Sequence, residues 1–251
     1  MPPVPKQADF PSSLTVTITP PDTLRSTNIL ILLHGLGDTP APFANFASGL
    51  HLPETSCITV QAPVPLPFDL PGFHWGDDIV FEADLLDPDP GFSRATRLIV
   101  TDLIRSTLID KLGYKAREIL LFGFAQGASA ALSAALEFHR SESGQGELGG
   151  IIAVGGVLPL SAINGRGGGR NKSPSPVLVL GGHGAHSAVS DIGARRTKEE
   201  FEYVEIVRWR GKKEDTMPRN REEMMPIMQF FARRLRSTSG VPEGSVELTQ
   251  I

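Results

Sequence analysis

The sequence predicts an α/β fold: a single domain with a mostly parallel central sheet and helices on both faces. Three observations predict it. Short, continuous apolar runs recur along the chain, as in strands buried on both sides. Segments with helical apolar spacing lie between them. Neither an internal repeat nor a break in composition divides the 251 residues, a length that one large α/β domain accommodates.

Residues 1–27 read as an N-terminal segment, residues 28–236 as the domain and residues 237–251 as a polar tail. The first strand is the run Ile29 to Leu33, which ends in the glycines of "HGLGD". The second, "SCITVQAPVP", is stopped by prolines. It holds Cys57, the only cysteine, which excludes an internal disulfide and reads as a small core residue. From Phe92 to Leu112, Leu98, Ile99, Leu103, Ile104 and Leu108 recur at helical spacing, and Gly113 closes the helix. "REILLFGFA" is a buried strand, followed by the alanine-rich helical run "QGASAALSAALEFH". "GGIIAVGGVLPL" and "PVLVLGGHG" are further strands, and "FEYVEIVRW" alternates as a β segment does. The last helix starts at Asn220, ends in arginines and places Met224, Met228, Phe231 and Leu235 on one face. Two polar, glycine-rich inserts near 139–149 and 164–176 are expected to be flexible. The Ser-Pro steps of the second are candidate phosphorylation sites, though a plain loop explains them.

The gross chemistry excludes several functions. The net charge of −4, with 40% hydrophobic and 21% charged residues, predicts a globular protein without nucleic-acid or basic membrane-surface binding. The start has no apolar signal core, and no run reaches the length of a membrane span, so a cytoplasmic location is the expectation. No cofactor is expected: "NGRGGGR" lacks the preceding strand and the spacing of a nucleotide loop. No metal is expected either, because His183 and His186 lack a third clustered ligand.

The informative stretch is Gly123-Phe124-Ala125-Gln126-Gly127, between an apolar strand and an alanine-rich helix. Small residues on either side of a strand-to-helix turn allow the sharp backbone of a nucleophile elbow. The helix N-terminus and the amide after the nucleophile then face developing negative charge. The residue at the tip should be a serine. It is Ala125, whose methyl group attacks nothing.

With these residues in view, the chain resembles the carboxylesterase, phospholipase and acyl-protein thioesterase family of α/β-hydrolases from about Asn28 to Leu235. "LLHGLGD", "HWGDD", "DPGFSRATRLIVTDLI", "GFAQG" and "PVLVLGGHG" carry the resemblance, with Gly76 departing from it. The resemblance implies an oxyanion hole from the amides of Leu36 and Gln126, and a pocket lined by His34, Trp75 and Asp77. It also implies a serine, an acid and a histidine in chain order. Carried over, these fall on Ala125, on Ser187, and on or next to Glu214, so all three are substituted. None of the six histidines follows residue 186, which leaves no base where one belongs.

Substitutes are few. His186, with Asp191 nearby, is a candidate activator of water, although a loop histidine is usually just solvated. Ser129 reads as a helix-packing residue, His34 and His183 as structural loop residues, and Glu214 and Asp215 as a solvated charged loop. The expectation is therefore a catalytically inactive α/β-hydrolase-like protein acting through a protein partner. Two alternatives stand beside it. One is a carboxylesterase or thioesterase with Ala125 an engineered or natural replacement of the serine; the other is a binder or sensor of an acyl or lipid ligand.

Overall fold

The computed structural model describes residues 2–23, 25–79, 81–82, 85–87, 89–143, 146–163 and 171–237. In chain order the strands are β1 (Val16–Thr19), β2 (Asn28–Leu33), β3 (Thr55–Val60), β4 (Val64–Pro65), β5 (Phe73–His74), β6 (Phe81–Glu82), β7 (Leu85–Leu86), β8 (Ile119–Phe124), β9 (Gly150–Val154), β10 (Val177–Gly181) and β11 (Val204–Arg208). The helices are α1 (Pro40–Leu50), α2 (Ser93–Arg97), α3 (Gln126–Ser141), α4 (Asp191–Glu200) and α5 (Arg221–Arg234). A π-helical segment, Leu98–Lys111, continues α2.

Seven strands form one sheet in the order β1-β3-β2-β8-β9-β10-β11. All neighbours are parallel except β1, which runs antiparallel to β3. Strand periodicity explains the two layers around it. Ile29, Ile31 and Leu33 face a cluster containing Ile99, Leu103, Ala131 and Phe138, from the π-segment and α3. Leu30 and Leu32 face the other side, with Phe43 and Ala47 of α1 and Ile227, Phe230 and Phe231 of α5. The predicted fold class is the observed one.

Several boundaries differ from the sequence reading. The first 27 residues supply the edge strand β1 and put Phe10, Leu14 and Val16 into the core. Four residues on a sheet edge carry too short a pattern to be read among prolines. His139 and Arg140 belong to α3 rather than to an insert, and Leu148 is buried. In the second insert, Asn164 to Arg170 lie outside the described residues. Its Ser-Pro serines, Ser173 and Ser175, are fully buried, and Ser175 Oγ accepts the Leu148 amide. They are packing residues, not accessible phosphorylation sites. The tail from residue 238 also lies outside the described residues. Cys57 is buried and its thiol is pushed up to about 12 by desolvation, as an inert core thiol should be. No helix among the described residues is long and apolar enough to cross a membrane.

Candidate functional site

Every parallel strand ends toward the same edge of the sheet, and the candidate site is assembled there. β8 delivers Ala125, at φ 50° and ψ −116°, directly before α3. Such a conformation costs an alanine on the order of 1–3 kcal/mol. The turn survives because the residues two positions to either side, Gly123 and Gly127, have no side chains. A Cβ on Gly123 would lie 2.3 Å from the Gly127 carbonyl oxygen, and one on Gly127 would lie 2.4 Å from the carbonyl oxygens of Leu33 and His34. The Ala125 amide donates to Val154 O at 2.8 Å, which ties the tip to β9.

The loop after β2 lies against this elbow. Gly37 N donates to Phe73 O at 2.9 Å, and Phe73 N returns a bond to Asp38 O at 3.1 Å. Leu36 is exposed between these anchors. The amides of Leu36 and Gln126 donate to no backbone group among the described residues. The Gln126 side chain accepts the Trp75 amide at 2.7 Å, joining the elbow to β5.

His34 and Trp75 are buried supports rather than pocket lining, and the half-buried Asp77 caps a helix. His34 and Trp75 are fully buried. The Ala62 amide donates to His34 Nε2 at 3.0 Å, so the proton sits on Nδ1, which donates to Gly35 O at 2.8 Å. Both nitrogens are satisfied in the neutral ring, and burial pulls its pKa down. The Trp75 indole donates to His34 O at 2.8 Å. Asp77 accepts the amides of Ser93 and Arg94, each at 2.8 Å, and so caps α2. Two buried side chains and one half-buried cap thus support the loops around the site.

The loops after β10 and β11 are joined by a hydrogen-bonded pair. Ser187 Oγ donates to Asp215 Oδ1 at 2.9 Å, bridging the loop after β10 to the loop after β11. The Asp215 carboxylate also accepts the amides of Gly182 at 2.7 Å and Ala188 at 2.6 Å. It is Asp215, not Glu214, that turns inward: Glu214 is exposed, and Asp215 Cβ approaches Gly155 beside the elbow. With three donors aimed at it, this carboxylate is a structural acceptor. It has no imidazole to orient.

The substitute residues stand apart. His183 and His186 are exposed, and Asp191 pairs with Arg208. Ser129 Oγ donates to Val157 O at 3.1 Å, as a packing residue does. No group of three or more histidine, cysteine or acidic residues suited to a metal occurs among the described residues. The sequence placed the position on or next to Glu214 and read both acids as a solvated loop, because two adjacent acids in a charged run cannot be ranked without knowing which one faces inward.

The phospholipase/carboxylesterase family model matches residues 16–235, which span the elbow, the capped helix and both crossed loops. The chain belongs to the phospholipase/carboxylesterase family. It is 32% identical to an uncharacterized hydrolase of Schizosaccharomyces pombe over 88% of this chain and 89% of that one. Acyl-protein thioesterase 1 of Saccharomyces cerevisiae is 27% identical over 83% of this chain and 93% of its own. Among solved structures, esterase PE8 superposes with a TM-score of 0.68 at 20% identity, covering 88% of this chain and 99% of that one. The last likeness is one of fold. This member of the family has the α/β-hydrolase frame, with a methyl group where the elbow presents its nucleophile.

Proposed function

We propose that this family member does not cleave esters by the serine mechanism and works by binding at the strand-end edge of its sheet. The observation that carries this reading is the pairing of Ser187 with Asp215, together with alanine at the tip of the elbow. On this reading nucleophile, acid and base are all replaced, and the residues at the last two positions are hydrogen-bonded to each other. Loss of the nucleophile or the base alone costs on the order of a million-fold in turnover. What an oxyanion hole and binding leave is roughly 10³–10⁴ over water.

A protein partner is the occupant best supported. Five of the exposed large apolar side chains lie at this edge: Leu36, Phe68, Leu70, Leu160 and Ile192. Phe68, at 91% exposure, is the most exposed of them. All five follow the C-terminal ends of sheet strands in the chain, and exposed apolar side chains on one edge favour an interaction surface. The absence of a basic excess argues against an anionic membrane as the partner. A hydrolytic reading remains the second, favoured by relatives named as a hydrolase and a thioesterase.

Turnover of a short-chain p-nitrophenyl ester separates the two. Neither the natural chain nor Ala125→Ser is expected to exceed the residual rate. Ala125→Ser/Ser187→Asp/Asp215→His restores an acid and a base across the existing 2.9 Å contact. It is expected to gain at least about a hundredfold over Ala125→Ser. Strong rescue by Ala125→Ser alone would reveal a working base and overturn the non-hydrolytic reading.

A further inference from the structure

A second cavity lies away from the elbow, between α2 with its π-helical continuation and the C-terminal half of α3. Its volume is about 450 Å³, within the range of small-molecule sites. Arg97, Thr101 and Arg105 contribute from one helix at spacings of four, which puts them on one face. Arg140 joins them from α3. Three guanidinium groups therefore line the cavity against one carboxylate, Glu137.

The acids that hold two of these arginines are not part of the lining. Glu142 pairs with Arg105, and Glu200 pairs with Arg140 at 3.1 Å, each from outside the cavity. Arg97 has no ion pair among the described residues. Arg105 donates to Ser141 Oγ at 2.7 Å and stacks on the Phe138 ring, which fixes its guanidinium at the cavity wall. The hydroxyls of Ser93, Thr96 and Thr101 line the same space and make no side-chain hydrogen bond among the described residues. The other basic groove differs here, because Arg117, Arg233 and Arg234 pair with Glu147 and Glu205 inside its own lining.

We propose that this cavity is a binding site for a phosphate monoester, anchored by Arg97, Arg105 and Arg140. With Glu142 and Glu200 pairing two of the three arginines, Arg97 is the guanidinium without an ion pair among the described residues, and guanidinium forks match phosphate oxygens. The volume exceeds what a bare ion needs. Phe92, Val100 and Ala162 offer the organic body an apolar wall.

Titration calorimetry on the full chain tests the proposal, with AMP and glucose 6-phosphate as probes and adenosine, glucose and inorganic phosphate as controls. At least one ester is expected to bind saturably, its unphosphorylated counterpart not at all, and inorganic phosphate more weakly. Arg97→Glu and Thr101→Glu, both at exposed positions, are each expected to weaken the ester at least about tenfold. Arg233→Glu, in the self-neutralised groove, is expected to leave it unchanged. The proposal is overturned if neither ester saturates below about 10 mM, if inorganic phosphate binds as tightly as the esters, or if Arg233→Glu weakens binding as much as Arg97→Glu.

Discussion

At Ala125 the backbone keeps a conformation that serves a nucleophile, while the side chain has none. The positive φ of 50° is strained for alanine. Ala125→Gly releases that strain against a smaller loss of chain entropy. Stability in urea is expected to rise by about 1 kcal/mol; a fall would mean that the methyl group packs more tightly than its backbone is strained. Asp215 is the other decisive residue. Asp215→Asn exchanges one carboxylate oxygen for an amide nitrogen, so donors aimed from Gly182, Ser187 and Ala188 cannot all be met. A loss of about 1–3 kcal/mol is expected in the same measurement. An unchanged midpoint would show that the two loops are held by something other than this carboxylate.

At the scale of elements, the site is a consequence of close approach between β8, α3 and the loop after β2. Gly127 is where these meet, with no room for a methyl group beside His34 O. Gly127→Ala is expected to destabilise the fold by about 3 kcal/mol, read as a lowered urea midpoint with an unchanged slope. Full stability of that variant would refute the crowding argument. Gly123 and Gly127 were legible in the sequence, because a strand before them and a helix after them gave two glycines a steric purpose. The Ser187–Asp215 pair was not. Its members lie 28 positions apart, and only the parallel register of β10 with β11 brings their loops side by side. The cavity of Arg97, Arg105 and Arg140 was equally hidden, since a surface arginine on a helix has no sequence mark that separates a ligand anchor from a solvated charge.

At the scale of the molecule, the buried histidines make stability depend on pH. His34 and His74 both titrate below the ordinary 6.5, chiefly because burial disfavours the charged ring. Between that value and their depressed folded values the unfolded chain binds more protons than the folded one. Stability is thus complete above about pH 6.5 and declines as pH falls toward the folded values. Urea denaturation from pH 8 to 5 is expected to show this decline beginning near 6.5. A flat profile through that window would mean the rings are not held neutral by the fold.

Taken alone, the sequence determined the fold class, the elbow, and the alanine at the elbow's tip. These rest on local facts: apolar runs, glycines beside a turn, and the identity of a residue at a known point in that turn. Tertiary structure decided which residues act together. It made His34 and Trp75 buried supports instead of lining, turned Asp215 rather than Glu214 inward, and drew β1 out of a segment that looked separate. The reason is geometric. Orientation across a sheet depends on which strands lie adjacent and which side chains turn inward, and neither quantity is written in any short stretch of chain.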